Sequence, residues 1–151
     1  MRGRLKFRAF GGWSAFCMFC GTLAAFAAEP QGPRGCYSLS LGSWKPQADD
    51  RTAKFFQVPA KVELTDVLGK ESFAKGRYLI KPLSEAPRRQ SYWWTDKKGQ
   101  TRMAWTDGFT GVSITLRFDG GSGYGQAETF EDGKPDFHRS ASATARRTPC
   151  P

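Results

Sequence analysis

Asparagine is absent from this 151-residue chain, and histidine occurs once, as His138. Without asparagine the chain has no sequon for N-linked glycosylation. A single imidazole excludes a histidine-rich metal site, and a Ser-His-Asp arrangement would have to use His138. We therefore expect no metal ion, no cofactor and no catalytic residues. If the chain were an enzyme, it would need a cleft in which His138 meets a carboxylate.

Acidic residues are also missing from the first 28 positions. Four basic residues between Arg2 and Arg8 precede an uncharged run from Ala9 to Ala28, which has small residues at Ala25 and Ala27. A basic head, an apolar middle and small residues at the −3 and −1 sites predict a secretory signal peptide over residues 1–27, removed after Ala27. The alternative is a retained membrane anchor, because a run of about 20 apolar residues can cross a bilayer.

Removal of this leader leaves residues 28–151 as one exported domain, which we expect to be secreted or periplasmic. Its nineteen basic and fourteen acidic residues give a net charge of +5, against +9 for the whole chain. A charge of this size suits a soluble monomer with weak attraction to anionic surfaces such as the cell envelope. Nucleic acid is an unfavourable partner, because the basic residues are dispersed along the sequence.

Cysteine is scarce in this domain, since only Cys36 and Cys150 remain after the leader is removed. Their spacing excludes a Cys-x-x-Cys redox or zinc motif. In an oxidising compartment a disulfide between them would persist, so we predict that they bond and join the two ends of the domain. The alternative is two free thiols.

An amphipathic helix pattern is missing after the leader, and period-two alternation takes its place. The clearest case is Val112, Ile114, Leu116 and Phe118, which alternate with polar residues. Turn signals recur about every ten residues, and Asp119 to Gly123 is a hairpin turn. Eight strands are predicted, at residues 36–44, 61–65, 73–83, 91–95, 102–106, 112–118, 124–130 and 137–147.

Eight sequential strands predict an all-β fold, a single antiparallel up-and-down barrel, with a two-sheet sandwich as the alternative. Short hairpin links favour the barrel. Small residues from the last two strands, among them Ala141, Ala143 and Ala145, would face bulky aromatic residues across its interior. That mixture suits a ligand cavity, but it also suits a filled core.

Aromatic side chains are the candidates for ligand contact: Trp93, Trp94, Trp105, Phe109 and Tyr124. Adjacent strand residues point to opposite faces, so either Trp93 or Trp94 must lie on the outside of the barrel. An outward tryptophan between Arg88-Arg89 and Lys97-Lys98 could stack on a sugar or an aromatic group while the cations hold an anion. The other interpretation is that these aromatic residues are core.

Gly42-Ser43-Trp44, eight predicted strands and Arg146 or Arg147 at the end of the last strand resemble the lipocalin and calycin pattern. The chain is also similar to small exported lipocalin-like bacterial proteins, which share Trp93-Trp94, the turn from Gly108 to Gly111, and Cys150. The resemblance implies a barrel that captures a small apolar molecule. It implies structural roles for Trp44 and Arg146, with the tryptophan packed under the basic residue.

Together these features predict a non-catalytic, lipocalin-like binding protein for a small hydrophobic or aromatic ligand. The alternative is a cell-envelope surface-interaction or inhibitor protein that uses an exposed aromatic-basic patch. An apolar cavity would favour the first function, and a filled barrel would favour the second.

Overall fold

Eight antiparallel strands form a closed barrel in the computed structural model, which describes residues 33–47, 56–85, 89–133 and 138–151. The chain divides into two units, residues 1–30 and 31–151. The predicted leader belongs to the first unit and lies outside the described residues. The strands are β1 (Gly35–Leu41), β2 (Lys61–Leu68), β3 (Tyr78–Pro82), β4 (Gln90–Thr95), β5 (Thr101–Thr106), β6 (Thr110–Asp119), β7 (Ser122–Glu131) and β8 (Ser140–Thr148).

Each strand pairs with its neighbours in sequence, and the barrel closes where β1 pairs with β8. In that last ladder Cys36 lies opposite Thr148 and Leu41 lies opposite Ala143. The predicted up-and-down barrel is therefore confirmed over the sandwich, and closure leaves no free edge strand among the eight. No helix in the described part of the chain has the length and apolar character needed to span a membrane.

The core follows the period-two alternation of the sequence. Val112, Ile114 and Leu116 of β6 are fully buried, whereas Ser113 and Thr115 between them are partly exposed. Full burial stabilises the fold by roughly 1.5–3 kcal/mol for each large apolar side chain. The alanines of β8 also face inward, as predicted, opposite bulky interior residues such as Trp93 and Met103.

The two ends of the barrel differ. We call the end at which β1, β3, β5 and β7 finish the mouth, and the opposite end the disulfide end. At the mouth, Phe56 and Pro59 of the β1–β2 connection are buried against the core. At the disulfide end, Cys36 and Cys150 form the predicted bond, with 5.3 Å between their Cα atoms. This bond excludes the alternative of two free thiols.

Three predicted strands extend too far. The first, predicted at residues 36–44, ends at Leu41, and the last, predicted at residues 137–147, begins at Ser140. The third is also too long. Residues 73–83 were expected to form it, but Ser72–Ala74 is a short 3₁₀ helix and β3 begins at Tyr78. Gly76 has a φ of 74°, a conformation that favours glycine and ends the preceding segment in a turn. Ala74 is buried close to the ring of Tyr92 on the outside of the barrel. This connection therefore covers Tyr92.

Candidate ligand-binding site

The five predicted ligand contacts occupy three different regions. Trp93 and Trp105 point into the barrel and are buried, each with 3% of its surface exposed. Trp94 and Tyr124 lie on the outer face, and Phe109 lies in the β5–β6 turn at the mouth. The structure does not gather them into one site, since two of them lie in the interior and three on the surface.

Trp93 has both a hydrogen-bond acceptor and a stacked aromatic partner. Its indole Nε1 donates a hydrogen bond of 2.9 Å to the carbonyl oxygen of Thr65. Its ring stacks on Tyr78 with 4.9 Å between the ring centroids. A buried indole with a satisfied N–H and a stacked partner is typical of core packing.

Trp105 differs from Trp93 in one respect. Its indole Nε1 is buried, and no acceptor lies within hydrogen-bond distance in the described part of the chain. Leaving such a donor unpaired costs about 1–3 kcal/mol. Buried polar groups of this kind are rare and call for an acceptor such as an ordered water or a ligand.

A second unpartnered donor lies in the same cross-strand row. Trp105 is opposite Val112, and Val112 is opposite Thr129. The Thr129 backbone N–H donates to the Arg139 carbonyl oxygen at 2.9 Å, and the Arg139 backbone N–H donates to the Thr129 hydroxyl at 2.9 Å. The Arg139 Nε is buried, and the described residues offer it no hydrogen-bond acceptor. The mouth half of the barrel therefore holds two buried N–H groups without an acceptor among the residues that the structure describes.

An apolar cleft of about 360 Å³ opens at the mouth. Leu39 and Leu41, which face inward from β1, form one side of it, and the β1–β2 connection supplies Phe56, Val58 and Pro59. Gln57 and Glu85 also line it and add polar groups. This volume falls within the range of about 300–1,000 Å³ that is usual for small-molecule sites.

Phe109 is held at the mouth by a rigid turn. Both Phe109 and Thr110 donate their backbone N–H to Asp107 Oδ1, at 3.0 and 2.8 Å. These hydrogen bonds, led by the one from Thr110, lower the pKa of Asp107. The turn leaves 72% of Phe109 exposed, so the aromatic ring is available to a partner at the mouth.

Side-chain alternation required one outward-facing tryptophan, and Trp94 is that residue. The cation that contacts its ring does not come from either of the expected basic pairs, Arg88-Arg89 and Lys97-Lys98. The Arg77 guanidinium lies 4.3 Å from the centre of the Trp94 ring. Arg89 and Lys97-Lys98 lie at opposite ends of β4, and Arg88 is outside the described residues. The aromatic-basic contact therefore involves Arg77 of the β2–β3 connection, which no sequence pattern singled out.

Tyr124 lines a separate, polar cleft on the outer face of β5, β6 and β7, together with Arg102, Gln126 and Glu128. It is 59% exposed. The cleft that Tyr124 lines contains neither Trp94 nor Phe109.

Trp44 and Arg146 are far apart along the barrel. Arg146 pairs with Ser38 near the disulfide end, whereas Lys45, next to Trp44, pairs with Ser140 at the mouth. Trp44 packs instead against Phe56, with 5.5 Å between the ring centroids. This chain therefore departs from the lipocalin pattern in which the tryptophan packs under the basic residue.

We call the cleft residues together with Trp105, Thr129 and Arg139 the mouth site, although the cleft itself is not lined by these three. Five of its residues were not singled out by the sequence: Leu39, Leu41, Phe56, Thr129 and Arg139. Nothing in the sequence marked Leu39 and Leu41 as lining a cleft. Phe56 follows a polar segment without periodicity, and Arg139 resembles any charged residue at a strand end. Only the register of β7 and β8 brings Arg139 beside Thr129.

Among the described residues, no group of three or more histidine, cysteine, aspartate or glutamate side chains lies close enough to hold a metal ion. His138 is exposed just before β8. Comparisons with protein-family models, curated proteins and solved structures give no significant match. The likeness to lipocalins is therefore a likeness of barrel architecture.

Proposed function

We propose that this protein is an exported, non-catalytic binding protein for a small apolar or aromatic ligand that enters the barrel at its mouth. The observation that carries the proposal is the buried, unpartnered indole N–H of Trp105. It lies in the same core cluster as Leu39 and Phe56, which line the apolar cleft. An oxygen atom on the ligand would satisfy this donor.

Arg139 supports the same assignment, because its buried Nε is a second donor without an acceptor in the mouth half of the barrel. We therefore place the ligand's apolar part against Leu41 and Val58 and its carbonyl or carboxylate oxygen toward Trp105 and Arg139. Export agrees with the Cys36–Cys150 disulfide, which is compatible with an oxidising, extracellular or periplasmic location.

Titration with cis-parinaric acid, a fluorescent fatty acid, tests this proposal. We expect saturable binding by the wild-type protein. Trp105→Phe and Arg139→Gln should each weaken it by roughly tenfold, because each removes one hydrogen bond to the ligand. Lys61→Gln is the matched control for Arg139→Gln, since it removes one exposed positive charge at the same end of the barrel and should leave affinity unchanged.

Native mass spectrometry of the purified protein provides a second measurement, with a co-purified small molecule as the expected result. The proposal is wrong if cis-parinaric acid does not bind and no ligand co-purifies. It is also wrong if the Lys61 variant weakens binding as much as the Arg139 variant, because binding would then follow net charge alone.

A further inference from the structure

The positive charge of the described residues is concentrated at one end of the barrel. Its disulfide-end half carries ten basic and four acidic side chains, whereas the mouth half carries five basic and six acidic ones. The ten basic residues are Arg34, Lys70, Lys75, Arg77, Lys97, Lys98, Arg102, Arg117, Arg146 and Arg147. Among the described residues, the excess positive charge therefore lies at the disulfide end.

Exposed apolar side chains lie at the same end. Val67 and Leu68 close β2 with 53% and 55% of their surfaces exposed. The connection that follows them carries Lys70, Lys75 and Arg77, alongside the acidic Glu71. Exposed aliphatic side chains and cations are the two components by which a protein surface binds the interface of an anionic bilayer, and this end of the barrel carries both.

We propose that the disulfide end docks on the surface of an anionic phospholipid bilayer. The lysines of the β2–β3 and β4–β5 connections would lie among the lipid phosphates, and Val67 and Leu68 would enter the region between headgroups and acyl chains. Basic residues near such a surface each add to the attraction, and the apolar pair adds a contribution that salt does not screen.

The exposed pair Val67 and Leu68 favours a bilayer over soluble polyanions, because only a bilayer offers an apolar region that these side chains can enter. With the disulfide end on the bilayer, the mouth faces away from the membrane, so docking does not depend on the proposed ligand.

Sedimentation with lipid vesicles tests the docking surface. The exported, disulfide-bonded protein should sediment with phosphatidylcholine vesicles that contain about one third phosphatidylglycerol, but not with pure phosphatidylcholine vesicles, at low salt. Replacing both lysines of the β4–β5 turn, Lys97→Gln with Lys98→Gln, should reduce the partition coefficient by up to about thirtyfold. Val67→Ser with Leu68→Ser should reduce it several-fold, including at about 0.5 M salt, where the electrostatic contribution is screened.

Lys45→Gln with Lys61→Gln is the matched control, because it removes the same charge from exposed positions in the mouth half. It should leave vesicle binding unchanged. The proposal would be overturned if the two double-lysine variants lost the same amount of vesicle binding, or if the protein bound neutral vesicles as well as anionic ones. Retention on heparin without binding to anionic vesicles would also overturn it. None of these outcomes bears on cis-parinaric acid binding, so the two proposals fail independently.

Discussion

Cys36 and Cys150 form a disulfide beside the ladder that closes the barrel. Cys36 belongs to β1 and lies opposite Thr148 of β8, and Cys150 follows β8 by two residues. The bond thus joins the first strand to the segment that follows the last strand, with a sequence separation of 114 residues. It reinforces a contact of very high sequence separation, which is the contact whose closure requires the greatest loss of chain entropy.

Cys36→Ser with Cys150→Ser should therefore destabilise the fold without changing it. In the chain-entropy model, a loop of this length contributes roughly 4–5 kcal/mol to the free energy of unfolding. Urea denaturation of the double variant checks the value, and wild-type protein in reducing agent is the control that keeps both cysteines. A double variant as stable as the oxidised wild type would show that the β1–β8 ladder alone closes the barrel.

The two interior tryptophans should respond differently to the same substitution. Trp93→Phe and Trp105→Phe remove the same ring volume, but only Trp93 loses a hydrogen bond, the one to Thr65. In the ligand-free protein we expect Trp93→Phe to be the more destabilising by about 1–2 kcal/mol. Urea denaturation of both variants measures the difference. Equal effects would mean that the Trp105 N–H has an acceptor, such as a trapped water.

Gly125 should not tolerate a side chain. A Cβ atom at this position of β7 would collide with the carbonyl oxygen of Thr115 on the neighbouring strand, and backbone cannot move aside easily. Gly125→Ala should lower the free energy of unfolding by about 1–3 kcal/mol. Gly121→Ala is the matched control, because its nearest neighbour would be Arg147 Cβ at 3.5 Å, an ordinary contact. A Gly125 variant as stable as the control would contradict the strand geometry.

Local sequence signals predicted the barrel well because each strand carries its own alternation. Ala141, Ala143 and Ala145 needed only period two to be assigned to the interior. Two Trp-Thr-Asp triplets, at residues 94–96 and 105–107, each mark the end of a strand, and Asp96 and Asp107 each accept backbone hydrogen bonds from the turn that follows. The triplets are not a structural repeat, because Trp94 faces outward and Trp105 faces inward.

The mouth site could not be predicted in the same way, because it depends on register. Alternation shows that Trp93 and Trp105 face inward. It does not show that the indole N–H of Trp93 donates to the Thr65 carbonyl, whereas that of Trp105 has no acceptor among the described residues. Arg139 becomes part of the site only through its pairing with Thr129 across two strands. Charge asymmetry between the two ends is likewise invisible in the sequence, since each half of the barrel collects residues from all eight strands.

Asp107 should make stability depend on pH in the acid range. Its backbone hydrogen bonds from Thr110 and Phe109 hold its pKa below the ordinary value in the folded state. The unfolded chain therefore takes up a proton first as pH falls. The resulting stabilisation is fully present above the unfolded pKa of about 4 and is lost as pH falls through the lower, folded pKa.

Asp107→Asn keeps an oxygen that can accept the two N–H groups but removes the charge. The free energy of unfolding of this variant should therefore fall furthest below that of the wild type near neutral pH. This deficit should shrink toward zero between about pH 4 and pH 2. Thr106→Val is the matched control, because it removes the hydroxyl that accepts the Gly108 N–H at 2.9 Å in the same turn and introduces no titrating group. Its deficit should stay constant over this range. Urea denaturation at several pH values measures both, and an Asp107→Asn deficit as flat as that of Thr106→Val would show that the carboxylate charge does not stabilise this turn.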